Sequence, residues 1–434
     1  MSPLAASDAA TPSGLRLDFR RETLANGLRV VLHRDPALPL VAVNLWYHVG
    51  SKNERPGRTG FAHLFEHMLF QGSQHIPTHE HFRLIQQVGG VSNGSTWYDR
   101  TNYYETLPAH HLDLGLWLES DRMGFLLPAI TSENLETQRE VVMNERRQRV
   151  ENQPYGAASE RIHELLYPDD HPYHWPVIGY MDDIAAATLE DVRSFFRTYY
   201  APNNAVLTLA GDLDPDRALE RVEAWFGEIP PGPPVPPVTA PDRPLGGERR
   251  QVLEDDVRLP RVYIAFRTPP YGQRAWYAAD LLAGVLSGGK SSVLYRDLVY
   301  ERQMAQDVGA YISPYEVAST FLVMATARPG VEPAALEAAL LEHLERAGAA
   351  SPSPEDFDRS RNRMLTEHFS GLQKLDNRAD LLSLFTTYFD DPGGVEREAD
   401  RYREIEPDEL RALAAERFTA SERVVVTVVP RNAS

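Results

Sequence analysis

Cysteine is absent from all 434 residues. That absence removes thiol nucleophiles, disulfide frameworks, iron–sulfur clusters and thiolate zinc sites together, so any metal here must be held by His, Asp or Glu. Long apolar runs are absent too: none reaches the roughly 18 residues of a membrane span. Basic charge is scarce, with 44 Lys and Arg against 62 Asp and Glu and a net charge of −18. A general nucleic-acid or anionic-membrane binder needs a basic surface stripe, so both classes are disfavoured and basic peptides remain possible partners. Residues 1–14 (MSPLAASDAATPSG) lack a basic stretch followed by an apolar one, so no secretion signal is expected in this numbering. A cysteine-free chain suits cytoplasm and periplasm equally.

What is present is an ordinary globular composition, 42% hydrophobic and 24% charged, on a chain long enough for two large domains. One segment interrupts it. From Gly227 to Glu248 the chain reads GEIPPGPPVPPVTAPDRPLGGE, which resists helix and central strand alike. The expected division is therefore an N-terminal domain at 15–228, a Pro-rich linker at 229–247 and a C-terminal domain at 248–431. The two halves carry the same succession of patterns. Each opens with an alternating strand (41–48 and 261–267), followed by an apolar helix (60–70 and 276–286) that runs into a Gly/Ser turn. Each ends with an amphipathic helix and a β-branched strand, 189–200 with 205–210 and 407–418 with 423–429. The expected fold is α+β, two repeated sandwich-like domains joined by the linker.

The sharpest chemical signal is Gly60-Phe-Ala-His-Leu-Phe-Glu-His-Met-Leu-Phe70. On a helix His63 and His67, four apart, share one face and can bind one zinc ion, and Glu66 lies on the adjacent edge within reach of a metal-held water. The surrounding Phe61, Leu64, Phe65, Met68 and Leu69 imply burial. Histidines and a carboxylate in such a setting cost several kcal/mol unless partnered, about as much as any buried polar group left unpaired. A catalytic zinc keeps one position open, so a third protein ligand is needed. The expected helix 132–150 offers Glu133, Glu136, Glu140 and Glu145, and the residues alone do not rank them. His75, His79 and His81 read as a solvated loop running into a helix, His110 and His111 as surface residues, and His171 and His174 as structural braces. Residues 93–107, after Gly89-Gly90, read as a strand.

H-x-x-E-H is the inverse of the commoner H-E-x-x-H order, the inverzincin arrangement. With it stand Leu24-Ala-Asn-Gly-Leu-Arg-Val-Val31, Val49-Gly-Ser51, Asn93-Gly-Ser-Thr-Trp-Tyr-Asp-Arg-Thr-Asn-Tyr103, His171-Pro-Tyr-His-Trp-Pro-Val-Ile-Gly179, Tyr200-Ala-Pro-Asn-Asn204 and the glycine-rich Ser287–Ser292. In these features the chain resembles the pitrilysin/insulinase family of zinc peptidases, in the half-length branch that includes β-type subunits of mitochondrial processing peptidase. The resemblance spans nearly the whole sequence. It implies a zinc endopeptidase of peptides or unfolded segments, with one Zn2+ per chain and Glu66 as general base. It places the third ligand in a segment like Val141-Val-Met-Asn-Glu145, which favours Glu145, 78 residues after His67, with Glu140 the runner-up. The family's second acid, seven positions before that ligand, falls on Gln138. The strand carrying Asn93 would take substrate as an added strand through main-chain hydrogen bonds.

The resemblance also implies a partner. Near the glycine-rich turn the family carries an Arg and a Tyr seven residues apart that bind the substrate carbonyl; the matching positions here are Val299 and Gln306. The expectation is a heterodimer with a zinc-free half-chain that supplies the Arg/Tyr pair, or otherwise a homodimer. The rival expectation is a zinc-holding scaffold or peptide-binding subunit with little activity of its own.

Overall fold

The computed structural model describes residues 15–241 and 243–431. Its first half builds a six-stranded sheet from β1 (Phe19–Thr23), β2 (Arg29–Arg34), β3 (Leu40–Tyr47), β4 (Val91–Thr96), β5 (Thr101–Pro108) and β6 (Ala205–Gly211). The order across it is β1-β2-β6-β3-β5-β4. The second half builds a five-stranded sheet from β7 (Arg249–Asp255), β8 (Arg261–Thr268), β9 (Ala305–Ile312), β10 (Ser319–Ala327) and β11 (Arg423–Pro430), in the order β7-β11-β8-β10-β9. Leaving β1 aside, the two sheets share one topology. The first strand of each pairs in parallel with the last, β2 with β6 and β7 with β11, and the remaining pairings are antiparallel. The repeat read from the sequence is thus present as two α+β domains. Buried central strands read as unbroken apolar runs, and β6 (AVLTLAG) is buried at every position.

The halves do not pack as separate beads. The helix Leu375–Phe389 of the second half lies on the first sheet: its Leu382 and Phe385 cluster with Val31, Trp46 and Val206. Asp380 on that helix accepts hydrogen bonds from Trp46 Nε1 (2.9 Å), Asn102 Nδ2 (3.1 Å) and Asn44 Nδ2 (3.2 Å). A second shared cluster joins Tyr98, Ile162 and Tyr173 to Tyr263, Leu322 and Val424. Between Phe226 and Arg249 the described residues form neither helix nor strand, and Asn203 pins this segment to the first half through Gly232. Among the described residues no helix is long and apolar enough to cross a membrane.

Two local expectations are corrected. Residues 93–107 are not one strand but the hairpin β4–β5, with a turn at 97–100 closed by Trp97 N–H donating to the Arg100 carbonyl at 2.9 Å. The helix expected over 132–150 is regular only from Ser132 to Arg146 and ends in a wider turn over Arg147–Glu151.

Candidate metal and catalytic centre

The H-x-x-E-H segment forms the helix Phe61–Met68. Gly60 precedes it at φ 82°, and a Cβ there would come within 2.9 Å of the Gly179 Cα, so two glycines let the helix start against the 171–179 loop. The Glu54 carboxylate accepts the free N–H groups of Gly60 (2.8 Å) and Ala62 (2.7 Å), an acidic cap where the helix dipole favours one.

The helix Ser132–Arg146 packs alongside and brings Glu145 to the two histidines. Its start is fixed by Thr131 Oγ1, which accepts the Asn134 N–H at 3.1 Å. Glu145 Oε2 lies 3.3 Å from His67 Nε2 and 3.7 Å from His63 Nε2, while Oε1 pairs with Arg149 Nη1 at 2.8 Å. A tetrahedral zinc shell with bonds near 2.0–2.1 Å places its ligand atoms about 3.3 Å apart. Two imidazole nitrogens and one carboxylate oxygen at this spacing therefore fit a zinc ion with a position left for water. Burial, and then the neighbouring His67, hold His63 down at about 4, which keeps it neutral as a metal ligand must be. The hydrogen bond to His67 holds Glu145 below the usual carboxylate value against the opposing effect of burial. Glu140, the runner-up, is exposed and outside the group; Gln138 is buried, two turns before Glu145.

Glu66 is half-buried on the same helix as His63 and His67. Burial raises its carboxyl above the ordinary value, and a 2.6 Å hydrogen bond from Thr96 Oγ1 to Oε2 pulls it partly back. Thr96 ends β4, the edge strand of the first sheet, which pairs only with β5 among the described residues. Asn93 is exposed on that strand and its Oδ1 accepts the Gly94 N–H at 2.9 Å. Val299 is buried in the turn Tyr295–Glu301, and Gln306 is exposed on the edge strand β9.

Sequence reasoning missed three features. It left Thr96 unassigned, although the alternation of β4 puts Thr96 on the same face as Gly94, whose missing Cβ makes room for Glu66 Oε1. It missed the buried cluster at the hairpin tip, where Lys52 Nζ meets Glu316 and lies 3.4 Å from Asp99 Oδ1, and His48 Nε2 lies 2.7 Å from Glu316 Oε2. It also placed His81 in solvent. His81 is buried on the helix Glu80–Gln87, near Glu105 and Glu119, because its i+4 neighbour Ile85 shares the core-facing stripe. Arg122 already binds both Glu119 oxygens, so that group is less free to take a metal than the first. His171 is buried as a brace, its Nδ1 accepting the Tyr173 N–H at 3.0 Å.

Comparison with known proteins bears on the family. Residues 29–173 match the family model described as insulinase (peptidase family M16), and residues 186–364 match the peptidase M16 inactive domain. The "inactive" description thus falls on a stretch that excludes H-x-x-E-H. The chain is 29% identical over 415 residues to the zinc protease PqqE of Helicobacter pylori, covering 94% of this chain and 92% of that one. It is 31% identical over 314 residues to an uncharacterized zinc protease, ML0855, of Mycobacterium leprae, covering 71% and 69%. A crystal structure of a protease from Helicobacter pylori superposes with a TM-score of 0.90 at 28% identity, covering 96% of this chain and all of that one. Two repeated domains, the H-x-x-E-H helix with its facing glutamate, and these matches together show that the chain belongs to the insulinase (M16) family of peptidases.

Proposed function

We propose that this chain is a zinc-dependent endopeptidase acting on peptides or unfolded polypeptide segments, with one zinc held by His63, His67 and Glu145. The observation that carries the reading is the convergence of two Nε2 atoms and Glu145 Oε2 at 3.3 and 3.7 Å, with Glu66 beside them on the same helix. Bound zinc supplies Lewis acidity, polarising the scissile carbonyl and making water more acidic. The chain supplies the rest. Glu66 takes a proton from water at Oε1, its other oxygen being engaged by Thr96, and returns it to the departing amine. The free edge of β4 takes the substrate as an added strand with Asn93 as a polar handle, so recognition rests on peptide backbone and sequence selectivity is loose. Residues 15–228 and 248–431 act as the zinc-bearing and supporting units, joined through the Pro-rich 229–247 segment.

The chain works as the zinc-bearing half of a heterodimer. Val299 and Gln306 supply no Arg/Tyr pair for the developing oxyanion, and one lost oxyanion donor costs about 2.7–4 kcal/mol. A zinc-free half-chain with that pair completes the site. The same two positions, with Gln138, favour the second reading, a zinc-holding peptide-binding subunit that turns over poorly. The test is metal content per chain together with cleavage of a quenched peptide, with and without chelator, for the chain alone and mixed with a zinc-free half-chain. Chelator-sensitive cleavage that rises on mixing is expected. Full activity of the isolated chain refutes the partner requirement, and a zinc-loaded chain inactive in both mixtures refutes the peptidase.

A further inference from the structure

β4 touches the proposed chemistry from two sides. Its outer edge pairs with no other strand among the described residues, and its inner face, through Gly94 and Thr96, meets Glu66. Thr96 Oγ1 donates to Glu66 Oε2 at 2.6 Å. The neighbouring Thr101 Oγ1 sits 3.5 Å away and already donates to the Val49 carbonyl at 2.9 Å. The Thr96 proton is therefore committed to Glu66. On the other side, a Cβ at position 94 would lie 3.2 Å from Glu66 Oε1, so the glycine leaves room for the second oxygen. The hydrogen bond from Thr96 thus holds one carboxylate oxygen and leaves the other free to face the reaction.

The hydroxyl itself is held from outside the site. Thr96 is the last residue of β4 and pairs with Thr101 across the hairpin. Arg100 Nη1 donates to the Ser95 carbonyl at 2.8 Å, and the Ser51 and Lys52 N–H groups donate to the carbonyls of Trp97 (3.2 Å) and Tyr98 (2.9 Å). The strand end is thus fixed before any substrate arrives.

We propose that Thr96 is a positioning residue for the general base: its hydroxyl fixes Glu66 so that Oε1 faces the reacting water, and it ties the placement of the base to the strand that takes the substrate. The proposal rests on Glu66 being the base. A hydrogen bond to a carboxylate also lowers its basicity, so two opposed outcomes follow from removing it. If orientation dominates, the reaction slows; if damped basicity dominates, it quickens. Rigid placement within a fraction of an ångström is what general-base geometry demands, and orientation is the larger effect here.

The test compares Thr96→Val, which keeps shape and loses the donor, with Thr96→Ser, which keeps the donor, and Glu66→Gln as control. Each is the full-length chain loaded with zinc, assayed on a quenched peptide with the zinc-free half-chain present, and each is also crystallised without substrate. The expected result for Thr96→Val is kcat lower by about one to two orders of magnitude, the loss of one hydrogen bond to a charged group, with KM and zinc content unchanged. Thr96→Ser stays within a few-fold of the parent. In the crystals Glu66 keeps its rotamer in Thr96→Ser and occupies others in Thr96→Val, a readout independent of turnover. Thr96→Val with the parental Glu66 rotamer, a rate equal to or above the parent's, or reduced zinc overturns the proposal, as does an equal loss in Thr96→Ser. A Glu66→Gln variant with parental activity overturns the base assignment itself, whereas an inactive one beside an unimpaired Thr96→Val overturns Thr96 alone.

Discussion

Acid should loosen this protein through His163, by an amount that can be worked out. His163 lies on the helix Ala158–Leu166, stacked parallel on Tyr98 with ring centroids 4.9 Å apart and 6.0 Å from Tyr315 of the second half. Its Nδ1–H donates to the Tyr173 carbonyl at 3.0 Å. Complete burial holds it at about 4 against an ordinary value of 6.5, the carbonyl offsetting only part of that shift. The fold therefore holds the neutral ring and the unfolded chain takes the proton. This contribution is fully present above pH 6.5 and is lost as pH falls through 6.5 toward about 4. Between pH 7 and pH 5 it amounts to about 2 kcal/mol, at about 1.4 kcal/mol per tenfold change in proton affinity. The assay is guanidinium unfolding of metal-free protein at both pH values, followed by tryptophan fluorescence, for the parent and His163→Phe. Phe keeps the stacking and removes the titration, and its unpaired Tyr173 carbonyl costs the same at either pH. The parent should lose about 2 kcal/mol more than the variant on acidification. Equal losses would refute the argument, since the ring would then take up its proton without unfolding.

Three further outcomes are expected. Glu66→Gln keeps its zinc, measured by elemental analysis, while peptide hydrolysis falls by about 10²–10⁴, because the base is lost and every ligand remains. Glu145→Gln lowers zinc affinity in a competition titration with a chromophoric chelator, whereas Glu140→Gln, altered at an exposed position, does not. Lys52→Met leaves Asp99 and Glu316 without their shared cation, which should destabilise by about 3–5 kcal/mol in a thermal melt at pH 7; a melting temperature unchanged from the parent's would contradict a stabilising ion pair there.

That His63, Glu66 and His67 stand together on one helix was legible because their geometry is local: i and i+4 on a helix face one way whatever the rest of the chain does. Glu145 needed the family resemblance, since four glutamates along one amphipathic stretch look alike until a neighbouring helix selects a face. The hairpin was unreadable for a different reason. Its turn, Trp97-Tyr-Asp-Arg100, contains no Gly, Pro or Asn and offers Asp99 as its one turn-favouring residue, and much of what holds it is distant: the Ser51 and Lys52 N–H groups, and the Glu316 N–H donating to Asp99 Oδ2 at 3.1 Å. The repeat was visible in the order of patterns, but the helix 375–389 lying on the first sheet was not, because nothing in an amphipathic stretch says which sheet it will cover.

That crossing helix makes the chain an obligate whole. A fragment ending in the proline-rich segment would carry its complete six-stranded sheet yet present Val31, Trp46 and Val206 to water, with Asn44, Asn102 and the Trp46 indole deprived of Asp380. Such a fragment should aggregate or capture the missing helix from another molecule, so a cut within residues 229–247 should give soluble protein only when both pieces are made together.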